Sequence, residues 1–190
     1  MVNELSTPYN TSGHIEVICG CMFSGKTEEL IRRIKRAQIA HLQTFVCKPI
    51  TDNRYHEQYV ISHDMTELNA VSLASPQEIL TLAKHYKVIG IDEAQFFDHT
   101  IVEVCNVLAN EGKRVIVAGL DMDFEGKPFG AMPYLLAVAE YVTKLQAVCT
   151  ISGESASFTY RKSHYNDTLL VGGQELYEAR SRQYFYNSDK

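Results

Sequence analysis

Residues 20–27 read Gly20-Cys21-Met22-Phe23-Ser24-Gly25-Lys26-Thr27, a complete G-x-x-x-x-G-K-[ST] run, and the segments on either side leave little freedom of fold. Before it, residues 14–19 (HIEVIC) form a short β-type run. After it, residues 28–37 carry apolar side chains at Leu30, Ile31, Ile34 and Ala37, the spacing of one helix face. In a strand, glycine-rich turn and helix taken in that order, backbone N–H groups wrap phosphate oxygens and the helix N-terminus adds a favourable dipole. Lys26 is placed to reach the β- and γ-phosphates, and the Thr27 hydroxyl to ligate Mg²⁺. The run is therefore expected to bind a nucleoside triphosphate.

At 190 residues the chain suits one domain, or one with a small appendage. Hydrophobic residues at 45% and charged residues at 22% suffice for an ordinary core. A net charge of −5 argues against a dedicated nucleic-acid or anionic-membrane surface. The densest basic run, Arg32-Arg33-Ile34-Lys35-Arg36, falls on the helix after the loop and reads as a solvated face. No apolar stretch approaches a membrane span. Residues 1–13 are polar, contain Pro8 and lack the apolar region of a signal peptide. They and residues 187–190 read as flexible tails. The five cysteines are scattered and odd in number, so no disulfide framework is implied. Reduced thiols without an export signal point to the cytoplasm.

Strand and helix signals alternate over three quarters of the chain. Residues 43–47 read as a strand stopped by Pro49, and residues 69–73 as a shorter one. Ser75-Pro76 opens a helix through about Lys84, and residues 87–91 form a buried strand ending in Asp92-Glu93. A helix over 101–110 stops at Gly112, a nearly all-apolar strand covers 114–120, and a helix over 134–140 precedes a strand at 141–145. Continuous apolar strands separated by helices predict a parallel sheet covered on both faces. From Cys149 the periodicity fades and Ser, Tyr, Gly and Asn take over. The expected organisation is an ATP-binding α/β domain over 14–147 and a small loop-rich domain over 148–186.

Asp92 and Glu93 close an apolar strand, where ligands bind in open α/β sheets. Asp92 is the expected outer ligand of Mg²⁺, which leaves Glu93 free to take a proton from an acceptor hydroxyl or to orient a water. Helicase-type ATP hydrolysis needs two nucleotide-clamping lobes and an arginine supplied across them, more than an acidic chain of 190 residues can hold. A GTPase switch needs an Asn-Lys-x-Asp motif, which is absent. What remains is γ-phosphoryl transfer to a small molecule. A nucleotide-sensing module without turnover is the non-enzyme alternative, against which intact Lys26, Asp92 and Glu93 weigh.

Four collinear stretches carry a specific resemblance: the 20–27 run; Asp52-Asn53-Arg54-Tyr55; Asp92-Glu93-Ala94-Gln95-Phe96-Phe97; and residues 119–130 (GLDMDFEGKPFG). Residues 143–149 and Val171-Gly172-Gly173 followed by Tyr177 continue it. Over about 14–183 the chain resembles the thymidine kinases of the type II family. That resemblance implies a RecA-like P-loop domain with a mostly parallel sheet and a small nucleoside-capping domain. It makes Glu93 the general base on the nucleoside 5′-hydroxyl. ATP and Mg²⁺ fall to Gly20, Cys21, Met22, Phe23, Ser24, Gly25, Lys26, Thr27, Asp92, Glu93, Ala94 and Gln95. Asp52 and Arg54 match the phosphoryl-transfer cleft. Met22, Phe96, Leu120, Phe124, Thr159 and Tyr177 match the surround of base and sugar. Main chain over Thr168, Leu169, Leu170, Val171 and Gly172 matches the loop closing on the base. On their own, Phe96, Leu120 and Phe124 would read as ordinary core and Tyr177 as a surface aromatic. The resemblance also implies thymidine as substrate and a homotetramer; from the net charge and the lack of an apolar span, no nucleic-acid or membrane partner is expected.

One departure stands out. The family usually holds a metal on two Cys-x-x-Cys-like pairs in its small domain. Here the first pair reads Cys149-Thr150-Ile151-Ser152, and the second position, within residues 180–184 (RSRQY), has no Cys or His. One ligand of four, even with His164 nearby, does not make a tetrahedral Zn²⁺ site, and no zinc is expected.

Overall fold

The computed structural model describes residues 12–50, 59–61, 67–162 and 175–187. In chain order the elements are β1 (His14–Cys19), α1 (Lys26–Ile39), β2 (Thr44–Pro49), β3 (Tyr59–Ile61), β4 (Glu67–Asn69), β5 (Val71–Leu73), α2 (Gln77–Leu82), β6 (Val88–Ile91), a 3-10 turn at Ala94–Phe96, α3 (Thr100–Asn110), β7 (Arg114–Gly119), α4 (Met132–Val138) and β8 (Tyr141–Lys144). There follow β9 (Ala147–Val148), β10 (Ser155–Ala156), β11 (Phe158–Arg161), β12 (Tyr177–Arg180) and α5 (Arg182–Tyr186).

Six strands form one sheet in the order β5-β2-β6-β7-β1-β8, and every pairing in it is parallel. Both faces are apolar, as a parallel sheet requires. Ile15, Val17 and Cys19 of β1 join a core with Ile79 of α2, Ile101, Val104 and Leu108 of α3 and Leu135 of α4. Ile18, on the opposite face, packs with Leu30, Ile31, Ile34 and Ala37 of α1. The α/β class is as the residue pattern predicts.

The differences in detail have local causes. Pro49 is the last residue of β2 rather than a stop before it; a strand end tolerates a residue with no N–H. The single strand expected at 69–73 is two. Glu67–Asn69 pairs antiparallel with β3, and Val71–Leu73 pairs parallel with β2. The helix expected at 134–140 starts earlier, at Met132, because Pro133 suits its first turn. Gly13 is no loose tail residue: a Cβ there would lie 2.2 Å from the Ala109 carbonyl oxygen. The region after Ala147 carries two antiparallel pairs, β9 with β10 and β11 with β12, where the pattern suggested mainly loops.

The basic run on α1 is also mixed. Arg32, Lys35 and Arg36 are exposed, but Arg33 is buried. Its guanidinium donates to Glu16 Oε2 at 2.7 Å, Glu29 Oε1 at 2.8 Å and Thr143 Oγ1 at 2.9 Å. Glu16 also accepts from Arg114 at 2.5 Å and lies 3.0 Å from His14 Nε2. Burial opposes ionisation of Glu16, but His14, Arg114 and Arg33 outweigh it and bring its pKa down to about 2. The network pins α1, and so the loop preceding it, to β1, β7 and β8.

Candidate active site

The phosphate loop leaves the C-terminal end of β1 and enters α1 through Gly25, whose φ of 82° lies in the left-handed region. Phe23 also has positive φ, 65°. The loop's polar groups converge on one atom: the Cys21 carbonyl oxygen accepts from Lys26 Nζ at 2.7 Å and from Ser24 Oγ at 2.8 Å. Cys21 itself faces away from the turn. Its thiol is buried, donates to the Ala156 carbonyl at 3.3 Å, and is shifted upward by that burial. It packs with Ala147, Cys149, Ala156 and Ala179, so the loop contributes a side chain to the core of the C-terminal unit.

One strand across the sheet from β7, β6 ends in the predicted carboxylates. Asp92 is buried, and its Oδ2 accepts from Thr27 Oγ1 at 3.2 Å. A hydroxyl and a carboxylate side by side are hard oxygen donors that suit Mg²⁺. Glu93 is half-buried and has a φ of 51°, a left-handed conformation uncommon for a side-chain-bearing residue. Its Oε2 accepts from Gln95 Nε2 at 2.5 Å. Ala94 and Gln95 are fully enclosed, with 0% and 3% exposure.

Beside these groups lies an apolar cluster. Met22, Leu120 and Tyr177 are buried together, with Phe23, Phe124, Phe129 and Leu176 packed against them. Phe96 meets Phe129 edge to face at 5.7 Å. Thr159 is buried and accepts from the Met22 N–H at 3.0 Å. The structure therefore brings the loop, Asp92, Glu93, Met22, Phe96, Leu120, Phe124, Thr159 and Tyr177 to one end of the sheet. Asp52, Arg54, Thr168, Leu169, Leu170, Val171, Gly172 and His164 lie outside the described residues.

Two residues of this cluster escape sequence reasoning. Phe129 returns to it because the main chain turns between Asp123 and Lys127, with Met122 bridging Pro128. Only a hairpin reading of that Gly-containing stretch would have paired it with Phe124. Arg161 sits with its guanidinium 3.6 Å from the Phe124 ring centre and donates to Tyr177 Oη at 3.1 Å. Thr159 and Arg161 are two apart on β11 and share a face, so strand periodicity was the available signal.

The remnant of the expected metal position has different chemistry. Burial opposes ionisation of Cys149, but hydrogen bonds from the Ser152 hydroxyl and from backbone at Ser181, Ser152 and Ile151 lower its pKa to about 6. Ser181 Oγ is buried beside it without a hydrogen-bond partner among the described residues. One sulfur with hydroxyls and amides does not fit a tetrahedral zinc. Among the described residues no three His, Cys, Asp or Glu side chains gather as a ligand set, and no helix is long and apolar enough to cross a membrane.

A family profile described as thymidine kinase matches residues 13–185. A thymidine kinase from Rhodothermus sp. (strain ITI 518) is 53% identical over 173 residues, covering 91% of this chain and 81% of that protein. One from Bdellovibrio bacteriovorus is 52% identical over 177 residues, covering 93% and 87%. A third, from Bacteroides fragilis, is 50% identical over 171 residues, covering 90% and 86%.

Proposed function

The chain belongs to the thymidine kinase family, and we propose that it transfers the γ-phosphoryl group of ATP to the 5′-hydroxyl of thymidine. One observation carries this reading beyond family membership. Glu93 stands next to the Thr27–Asp92 pair on one side and, through Gln95, is tied to the backbone of the apolar cluster on the other. A carboxylate between a triphosphate loop and an aromatic-lined pocket is where a base for an acceptor hydroxyl belongs.

In this reading the nucleoside 5′-oxygen attacks the γ-phosphorus, the bond from that phosphorus to the β,γ-bridging oxygen breaks, and ADP leaves. The hydroxyl proton passes to Glu93. Lys26 leaves the Cys21 carbonyl for the phosphates and offsets their charge. Thr27 and Asp92 would hold Mg²⁺, which neutralises charge on the phosphates when bound. Met22, Phe96, Leu120, Phe124 and Tyr177 supply faces for a pyrimidine and its sugar, with Thr159 behind Met22. Asp52 and Arg54, and the main chain of Thr168 to Gly172, are assigned to the cleft and the base by family likeness alone.

Family likeness also supports a homotetramer, and the net charge of −5 supports a protein without a nucleic-acid surface. The cysteine usage fits the cytoplasm, and the donor set around Cys149 supports a small unit without zinc. The deciding assay is ADP release by the purified chain. Release that depends on thymidine, with ATP alone and uridine as controls, is expected; release that ignores thymidine refutes the reading. Native mass determination tests the tetramer.

A further inference from the structure

Gln95 is 3% exposed, and both ends of its amide are used within the protein. Its Oε1 accepts from the Leu120 N–H at 3.0 Å, and its Nε2 donates to Glu93 Oε2 at 2.5 Å. The orientation is dictated chemically: a main-chain N–H can meet only the amide oxygen, which turns the NH₂ toward the carboxylate. Leu120 belongs to the apolar cluster, so one side chain joins the backbone of the nucleoside pocket to the base.

The surrounding chain is shaped to admit it. A Cβ on Gly119 would lie 2.7 Å from Gln95 Oε1 and 2.6 Å from Met132 Sδ. A Cβ on Gly130 would lie 2.4 Å from the Gln95 carbonyl oxygen. Both ends of the 119–130 stretch are thus glycine where Gln95 passes. Glu93 meanwhile sits at positive φ, so its local backbone does not by itself favour the geometry it holds.

We propose that Gln95 is the positioning residue of the base: it acts on Glu93, not on the nucleotide, and fixes the carboxylate relative to the nucleoside pocket. The inference rests on the phosphoryl-transfer reading above. A reacting group displaced by 1 Å can cost about 10²-fold in rate, so a tether between base and pocket is where such control would be exerted.

Gln95→Glu alters the contact at nearly constant shape, adding a carboxyl against Glu93, and Gln95→Met removes it without adding charge. The first preserves the shape and the acceptor for Leu120 N–H, and replaces the donor to Glu93 with a second carboxylate oxygen. The expected result is kcat lowered roughly 10- to 100-fold with the KM of thymidine and of ATP within about threefold of wild type. The loss should shrink to less than about threefold in the Glu93→Gln background, because a residue acting through Glu93 has nothing left to position. A Gln95→Glu enzyme with wild-type kcat, or a loss of equal size in both backgrounds, overturns the proposal. If Gln95→Glu is unfolded by circular dichroism, Gln95→Met, which fills the same slot, goes through the same pair of backgrounds: a loss confined to the Glu93 enzyme supports the role, and wild-type kcat or an equal loss in both overturns it. Wild-type turnover in Glu93→Gln itself would instead remove Glu93 as the base, and the positioning role with it.

Discussion

The Thr159 hydroxyl accepts a hydrogen bond from the main-chain N–H of Met22 at 3.0 Å, and both residues are buried. A strand of the C-terminal unit thereby holds the phosphate loop directly, beside the Cys21 thiol that donates to Ala156. The apolar cluster and the loop of residues 20–27 share this seam, since Met22 belongs to both.

Thr159→Val keeps the shape and leaves the Met22 N–H without its acceptor. Leaving a buried donor unpaired costs about 1–3 kcal/mol, so unfolding by denaturant should show a loss of that order. On the proposed assignment of the loop to ATP and the cluster to thymidine, KM should rise several-fold for both. A rise confined to thymidine would mean that Thr159 only lines the base pocket.

Glu93→Gln retains size and hydrogen bonding but cannot accept the proton. Binding of ATP and thymidine should stay within a few-fold of wild type while kcat falls roughly 10²–10⁴-fold. Isothermal titration and steady-state rates separate the two quantities. Turnover within threefold of wild type would leave the reaction without its assigned base.

Glu16 sets a pH dependence of stability unrelated to catalysis. Its folded pKa of about 2 lies below the ordinary 4.5, so its contribution is fully present above about 4.5 and fades as pH falls toward 2. The shift corresponds to about 3 kcal/mol at neutral pH, an order of magnitude for a carboxylate held by two arginines and a histidine. Glu16→Gln should lose about this much at pH 7 and flatten the acid side of the stability curve. Denaturant titrations at pH 7, 4 and 3 check both; parallel curves for the two proteins would place the acid sensitivity elsewhere.

Much of the architecture is legible because its signals are local. The loop of residues 20–27 announces itself by glycine, lysine and threonine spacing, and β6 announces Asp92 and Glu93 by ending an apolar run. Groups whose role depends on a distant partner are not legible. Arg33 reads as solvated because the Glu16 that buries it lies in another element. Gln95 reads as one more residue beside the phosphates until Leu120 is seen on its other side. The splitting of 69–73 into two strands is set by which neighbour each half meets, and Ala70 between them gives no local warning.

The described donors around Cys149 do not make a tetrahedral metal site, and the contacts of the C-terminal segment reach well beyond it. Phe158 stacks on Phe185 at 4.7 Å, and Phe185 lies 3.1 Å from where a Cβ on Gly126 would stand, so α5 rests on the turn of the larger domain. The Arg161 guanidinium covers Phe124, and Cys21 fills the core between Ala147 and Ala179. Gly126, Phe124, Cys21 and Ala147 among these partners lie outside residues 148–186. About 40 residues without disulfide or metal seldom fold alone, and a structural zinc would supply on the order of 10–16 kcal/mol that this donor set does not offer. The purified protein should therefore contain well under one zinc per chain by elemental analysis, and its activity should survive zinc chelators when Mg²⁺ is in excess. Residues 148–186 expressed alone should be unfolded by circular dichroism. Stoichiometric zinc would mean that ligands other than Cys149 and Ser152 form the site, and a folded fragment would mean that packing on the larger domain is not what holds the small one.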